Sequence, residues 1–353
     1  RGQEVIVLIP EIALTYQTVM RFFGRFGEKI SVMHSRLSAG ERYDQFEKAR
    51  KGETKIMIGA RSALFTPFAH LGLVVMDEEH EGAYRSEGAP RYHAREVAEH
   101  LAEMSGAFLV MGSATPSLEA YSKAEAGIYK LCPLRKRASQ GSALAATEVV
   151  DLRRELEAGN KSIFSRRLTE LIEDRLAKKE QVMLFMNRRG YSSFVSCRSC
   201  GRAVKCPHCD VSLTLHNNRQ LTCHYCGSKI PQPKACPVCG SEYLAGFGVG
   251  TQKVEEMAAQ MFPQARILRM DLDTTSKKGG HEAILASFAR GKADILIGTQ
   301  MIVKGHDFPG VTLVGILAAD VSLYAPDFRC TEQTFQPLVQ AAGREGGAAP
   351  GLR

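Results

Sequence analysis

Tryptophan is absent from all 353 residues, and phenylalanine, tyrosine and tryptophan together make up only 7% of them. Any base-stacking surface in this chain must therefore use tyrosine, phenylalanine or histidine, which offer less area. No apolar run reaches the length of about 18 residues that a membrane-crossing helix needs. No secretory signal is present either, so a cytoplasmic location is expected. The phosphate-cradling pattern G-x-x-x-x-G-K-[ST] occurs nowhere in the chain. Acids are nearly missing between residues 186 and 240, where eight Lys/Arg stand against Asp210 alone. The whole chain is basic at +8, which suits a polyanionic partner without identifying one.

What the chain has in excess is paired cysteine. Four Cys-x-x-Cys pairs lie within 43 residues: Cys197/Cys200, Cys206/Cys209, Cys223/Cys226 and Cys236/Cys239. Each pair puts two sulfurs on one tight turn, and eight thiolates satisfy two tetrahedral zinc ions. A redox-active pair is the bland alternative, but four in a row outside a βαβ context argue against it. Thirteen residues separate Cys209 from Cys223. Among them Val211, Leu213 and Leu215 alternate with polar residues as in a half-buried strand, and Asn217 and Asn218 suit a turn. This reads as a zinc-ribbon hairpin with a knuckle at each base. Cys206, Cys209, Cys223 and Cys226 would share one ion, leaving Cys197, Cys200, Cys236 and Cys239 for a second, nested site. Sequential or interleaved pairing also satisfies the count. With two zinc ions each held by four thiolates, the basic excess of seven falls to about three, enough to favour phosphates. His208, His216 and His224 are not needed as ligands.

Outside this cluster the pattern is α/β. Val5–Ile9, Ile30–Met33, Lys55–Ile58, Leu73–Met76 and Phe108–Met111 read as buried strands, separated by helical stretches such as Ala39–Arg50 and Ala94–Met104. Residues 132–164 read as a linker. Ser165 then caps a helix bearing Leu168, Leu171, Ile172 and Leu176. Val182–Met186 is a strand, and residues 165–195 open a second lobe. The cysteine-rich insertion spans 196–242, and α/β alternation resumes over 243–353. Both ends read as cut, because the chain enters an apolar strand almost at Arg1 and stops in GGAAPGLR.

Several motifs sit at strand ends. Leu73–Met76 runs into Asp77-Glu78-Glu79-His80, placing carboxylates at the carboxyl edge of a parallel sheet, where ligands bind. A solvated acidic helix start is the plain alternative. Gly112-Ser-Ala-Thr-Pro116 follows the next strand and by itself is compatible with a simple helix cap. Gly59-Ala-Arg-Ser-Ala-Leu-Phe65 offers Arg61 and Ser62 to a phosphate backbone. Gly298-Thr-Gln-Met-Ile-Val-Lys-Gly-His-Asp-Phe308 and Gln340-Ala-Ala-Gly-Arg344 complete the set.

The order and spacing of these motifs resemble superfamily 2 helicases, and within them the replication-restart family of primosomal protein N′ (PriA). PEIALT (10–15), MHSRLSAGER (33–42), GARSALFTPF (59–68), DEEH (77–80), RYHARE (91–96), GSATPS (112–117), NRRGY (187–191), the eight cysteines and residues 298–320 carry the resemblance. It covers residues 3 to 344. It implies two RecA-like parallel-sheet lobes: residues 1–131, truncated at the N-terminus, and a second lobe interrupted by the zinc insertion. It further implies an ATP-dependent 3′-to-5′ DNA helicase that uses ATP, Mg²⁺ and two zinc ions. The expected partners are single-stranded and forked DNA, primosome proteins and single-stranded DNA-binding protein, with no membrane.

Roles carried over position by position are expectations of the same kind. Asp77 is the magnesium-site acid and Glu78 the catalytic acid, with Gln340 and Arg344 on the second lobe. Gly305 and Asp307 face nucleotide, whereas Thr299 and Lys304 face DNA. Tyr84 to His93 occupies the place of an aromatic-rich DNA-sensing loop, in which Tyr84, Tyr92 and His93 stack on bases. Arg188 and Arg189 contact the DNA backbone unless they are a solvated charge pair. Two departures stand out. The phosphate loop is missing, and the final motif Q-x-x-G-R-x-G-R has Gly347 in place of its second arginine. Two other readings follow: a zinc- and nucleic-acid-binding fragment without ATPase activity, or a different superfamily 2 helicase.

Overall fold

In the first unit, Arg1–Pro133, short apolar segments form a five-stranded sheet. The strands are β1 (Glu4–Leu8), β2 (Ile30–Met33), β3 (Ile56–Gly59), β4 (Leu71–Asp77) and β5 (Phe108–Gly112). Their order is β2-β3-β1-β4-β5, and every pair is parallel. Parallel neighbours need a crossover between them. Helices α1 (Tyr16–Phe26), α2 (Ala39–Arg50) and α3 (Ala94–Ser105) lie within three of the four crossovers, a 3₁₀ helix (Arg61–Phe65) lies within the one from β3 to β4, and α4 (Leu118–Glu125) follows β5. Ser38 and Glu41 form a reciprocal capping box that starts α2. Gly106, at φ 61°, ends α3 in a left-handed cap. Ile6, Leu8, Met33, Met57, Val74 and Met76 make the core between sheet and helices. In this computed structural model the described residues are 2–10, 16–35, 37–136, 145–186, 194–216, 219–246, 250–271, 274, 280–299, 302, 308–325 and 327–343. Among them no helix is long and apolar enough to cross a membrane.

The second unit, Leu134–Arg353, begins with α5 (Leu152–Glu157), α6 (Arg166–Ala177) and β6 (Gln181–Met186). Ser165 caps α6 by accepting from the Leu168 amide at 3.1 Å, as its sequence suggested. Residues 132–164, read above as a linker, contain α5. Glu155 on that helix accepts from the Arg166 amide and from Asn160 Nδ2, tying it to the start of α6. Then comes the insertion, with β7 (Val195–Cys197), β8 (Thr214–Leu215), β9 (Gln220–Thr222), β10 (Lys229–Pro231) and β11 (Leu244–Gly246). β7 pairs with β11, and β8, β9 and β10 form a small antiparallel sheet. After it follow α7 (Thr251–Met261), β12 (Ile267–Met270), α8 (Gly280–Ala289), β13 (Ile295–Gly298), β14 (Val311–Leu317) and α9 (Cys330–Ala342). The main sheet of this unit is parallel in the order β12-β13-β6-β14.

The two units repeat each other. The order β2-β3-β1-β4 reappears as β12-β13-β6-β14. β3 and β13 both end on glycine because the neighbouring strand comes too close for a side chain. A Cβ at Gly59 would lie 2.2 Å from the Met33 carbonyl oxygen, and one at Gly298 would lie 2.8 Å from that of Met270. Just past β4 and β14, Glu78 and Ala318 both take left-handed backbone, at φ 47° and 49°. One-turn 3₁₀ helices follow in each case, Gly82–Tyr84 and Val321–Tyr324, and each ends on tyrosine. Thus both lobes turn in the same way at the carboxyl ends of equivalent strands, where ligands bind in open parallel sheets.

Gly59→Ala is expected to destabilise the first lobe by about 1–3 kcal/mol, the range for overpacking a filled site. Gly24→Ala, inside α1 with open space around its Cβ, is expected to stabilise by about 0.5–1 kcal/mol. Denaturant midpoints of the first lobe's transition check both signs.

Candidate functional site

The eight paired cysteines converge in two groups of four. Cys206, Cys209, Cys223 and Cys226 form one, and Cys197, Cys200, Cys236 and Cys239 the other. The nested pairing is therefore the one the chain adopts. The sulfur atoms of Cys197 and Cys239 are 3.6 Å apart, and those of Cys200 and Cys236 and of Cys206 and Cys226 are 3.7 Å apart. A tetrahedron with zinc–sulfur bonds of about 2.3 Å has edges of about 3.8 Å. A disulfide requires about 2.05 Å. The sulfurs are thus spaced for a tetrahedral ion. Electrostatics agrees: the backbone N–H groups of Cys226 and Tyr225 bring the Cys223 thiol down to about 7. The neighbouring Cys226, with burial, pushes Cys209 up to about 12. Four thiolates so close resist forming together unless a cation neutralises them, and the donor set fits zinc.

One local design makes all four knuckles. In each, the residue after the second cysteine returns its amide to the carbonyl of the first: Gly201 to Cys197, Asp210 to Cys206, Gly227 to Cys223 and Gly240 to Cys236, at 2.8–3.0 Å. The amide of the first cysteine then donates to the carbonyl five residues on, at Arg202, Val211, Ser228 and Ser241. The returning residue is left-handed every time, at φ 74°, 54°, 75° and 72°. Glycine accepts this without strain, and aspartate is among the few other residues that tolerate it. The Asp210 carboxylate also pairs with Lys205 at 2.9 Å.

The outer knuckles are fastened to the second lobe. Tyr324, which ends the turn beyond β14, donates its hydroxyl to the Gly201 carbonyl at 2.6 Å, and its ring packs 5.0 Å from that of Phe194. Arg198, between Cys197 and Cys200, donates to the carbonyls of Lys161 and Ser162 at 2.5 and 3.0 Å. Ser199 and Ser241 bond across the outer pair at 2.8 Å. The hairpin that carries the inner site has its own core of Val195, Val204, Leu213 and Leu221.

In the first lobe, β4 delivers Asp77 beside Gly112 of β5. Burial pushes the Asp77 carboxyl upward, opposed only in part by the Glu78 amide. The side chain nevertheless stands exposed at the end of the strand, open to a cation that would favour its anion. Glu79 faces inward and is fully buried. Its carboxylate accepts from the Ser117 amide at 2.5 Å and the Ser117 hydroxyl at 3.0 Å, and its own amide donates to the Gly112 carbonyl. His80 Nδ1 lies 2.7 Å from Ser113 Oγ. The acid turn and the 112–117 segment are thus joined at two points.

Of the residues expected at DNA, several have other work. Tyr84 is 1% exposed and donates its hydroxyl to the Asp77 carbonyl at 2.6 Å. Burial and the carboxylates of Asp77, Glu81, Glu78 and Glu79 push its phenol well above the usual range. It offers no face for a base, which corrects the expectation drawn from its place in the loop. Arg61 donates to the carbonyls of Ala83 and Arg85 and so holds that loop. His93 caps α3 by accepting from the Arg95 amide. Ser62 is exposed, and Tyr92 is half-buried with its ring 5.6 Å edge-on to Phe65, which is 54% exposed. Phe65 escaped the sequence reading because it looked like one more apolar residue in GARSALF. Thr299 lies half-buried just past β13, and Gln340 half-buried in the last turn of α9. Arg188, Arg189, Lys304, Gly305, Asp307 and Arg344, like Asn217, Asn218 and Gly347, lie outside the described residues.

Known proteins give these features a family. Residues 206–231 match the PriA DNA helicase Cys-rich region (CRR) domain. Residues 1–124 match the DEAD/DEAH box helicase family, and 247–348 the helicase conserved C-terminal domain. The replication restart protein PriA of Bacillus subtilis is 54% identical over 347 residues, covering 98% of this chain and 43% of that protein. The one from Synechocystis sp. is 48% identical over 363 residues, covering 99% and 43%. The chain therefore spans less than half the length of these relatives. Among solved structures, the DUF1998 helicase MrfA bound to DNA is similar in fold, with a TM-score of 0.52 and 13% identity over 98% of this chain and 38% of its own.

Metal analysis of the purified chain is expected to give two zinc ions per molecule. Cys206→Ser and Cys236→Ser are each expected to lower this to one. A ratio near zero with the thiols oxidised to disulfides contradicts the tetrahedral reading.

Proposed function

We infer the function from one premise: this chain belongs to the PriA family of replication-restart helicases. It forms the motor lobes and zinc module of an ATP-dependent 3′-to-5′ DNA helicase. The work is done in the bacterial cytoplasm on single-stranded and forked DNA, together with primosome proteins and single-stranded DNA-binding protein. One observation carries the reading: an acid turn at the end of β4 bonded to a hydroxyl-rich segment at the end of β5, in a chain whose repeated second lobe holds nested four-cysteine clusters.

The residues divide the labour as follows. Asp77, exposed at the end of β4 with its carboxyl pushed upward, is the acid that would gain from a magnesium ion accompanying ATP. Glu78, one residue on and left-handed, carries its carboxylate beyond the strand, where an acid orients or deprotonates a water. His80 and Glu79 link that acid to Ser113 and Ser117, so movement of the 112–117 segment reaches the turn. On the DNA side Ser62, Thr299, Lys304, Arg188 and Arg189 meet backbone phosphates. Phe65 and Tyr92 present the aromatic edge that Tyr84 does not. Gly305, Asp307, Gln340 and Arg344 serve the nucleotide from the second lobe. Mg²⁺ supplies charge neutralisation at the transferring phosphoryl group.

The missing G-x-x-x-x-G-K-[ST] pattern limits what these 353 residues do alone. With no backbone cradle or lysine for the phosphates, they act by themselves as a zinc- and nucleic-acid-binding body. Catalysis requires a longer polypeptide that supplies a phosphate loop ahead of this chain.

Strand separation tests the reading. Such a longer polypeptide is expected to unwind a 3′-tailed duplex with ATP and to leave a 5′-tailed duplex paired, while this chain alone shows background ATP turnover. Unwinding of the 5′-tailed substrate, or of RNA in preference to DNA, contradicts the assignment.

A further inference from the structure

Three chain segments far apart in sequence meet at one buried cation. Arg95, in the first turn of α3, is 6% exposed. Its Nη1 donates to Ser117 Oγ at 2.8 Å and to Glu79 Oε2 at 3.4 Å. Glu79 in turn accepts from both the amide and the hydroxyl of Ser117. Ser117 Oγ also accepts from the Ala120 amide, starting α4. Arg95 Nε lies 3.8 Å from Glu99 Oε1, too far for a hydrogen bond, so both hydrogen bonds of this buried charge run through Nη1, and breaking such a set from one side is costly.

The set is not what makes the left-handed turn at Glu78. The second lobe forms the same turn at Ala318, at φ 49°, with Ala319 standing where Glu79 stands. Alanine carries no carboxylate, yet the φ of the preceding residue differs by only 2° between the two lobes. What Glu79, Ser117 and Arg95 add in the first lobe is a fixed distance between the acid turn and the 112–117 segment. Arg95 adds a third attachment, because it follows directly on the loop whose other end is held by the Tyr84 hydroxyl on Asp77. Both ends of residues 84–95 are therefore bonded to the acid turn.

Resting on the reading of Glu78 as the water-orienting acid, we propose that Arg95 is a positioning residue for ATP hydrolysis, acting through Glu79 and Ser117 to hold Glu78 and Ser113 in register. It touches neither nucleotide nor water. Because a single nitrogen makes both bonds, a lysine ammonium is able to replace it, whereas methionine, similar in length and uncharged, is not.

The first test uses the full chain and amide hydrogen exchange. Arg95→Met is expected to speed exchange in residues 77–81 and 112–120 at least tenfold, while β1, β3 and the zinc module exchange as before. Arg95→Lys is expected to stay within about threefold of the unchanged protein. Equal rates in both segments, a uniform rise across the lobe, or lysine failing as badly as methionine each overturn the proposal. The second arm uses a longer polypeptide with a phosphate loop, in which Arg95→Met is expected to lower kcat about tenfold with KM for ATP unchanged. An unchanged kcat, or a loss confined to KM, overturns the positioning role. Absence of DNA-stimulated ATP turnover before any substitution instead overturns the helicase reading, and with it any catalytic role for Arg95.

Discussion

The carboxyl ends of its parallel strands are where this protein gathers its polar and glycine turns. Backbone pairing stops there, the chain must reverse over the sheet, and the amides and side chains of the reversal face outward together. β4 uses that position to raise Asp77 and Glu78 beside Gly112. β3 and β13 use it for the glycine turns at 59 and 298, where the neighbouring carbonyl leaves no space for a Cβ. β6 uses it to launch the cysteine-rich insertion. Without parallel register these groups would be spread over two opposite edges of each sheet.

Repetition of the lobe explains how the zinc module is held. Tyr84 and Tyr324 occupy the same place after equivalent strands, each closing a 3₁₀ turn. In the first lobe the hydroxyl supports the acid turn. In the second, where Ala318 and Ala319 replace the acids, it reaches the Gly201 carbonyl of a knuckle. A tyrosine at the same place thus serves the acid turn in one lobe and anchors the insertion in the other. The outer four-cysteine cluster is consequently the base of the module, and the inner cluster, on its hairpin, is the outlying one.

Much of this was legible in the sequence. Apolar runs of four or five residues ending in charged or glycine turns announced the strands. Thirteen residues between the middle cysteine pairs announced the hairpin and favoured nested pairing, which only the converged sulfurs decide over the alternatives. The recurring Cys-x-x-Cys-[Gly/Asp], which marks the left-handed return of every knuckle, went unread. So did the match of Ile-Met-Ile-Gly59 to Ile-Leu-Ile-Gly298. What sequence could not give were partners distant along the chain. Glu79 and Ser117 are 38 positions apart, and neither looks unusual locally. Arg95 reads as a surface charge in RYHAREVAEH until its burial is seen. Tyr84, an aromatic in a loop, reads as a stacking residue, yet its ring is buried and its hydroxyl bonds the Asp77 carbonyl.

The account depends most on Glu78. The decisive measurement is DNA-stimulated ATP turnover by a longer polypeptide with a phosphate loop, comparing Glu78 with Glu78→Gln. Removing a general base or water-orienting acid typically costs about a hundredfold to ten-thousandfold. The account predicts a loss of that size with nucleotide affinity retained, because the amide keeps the shape and Asp77 remains for the magnesium ion. Turnover within a few fold of the unchanged protein would place the catalytic acid elsewhere and contradict the account.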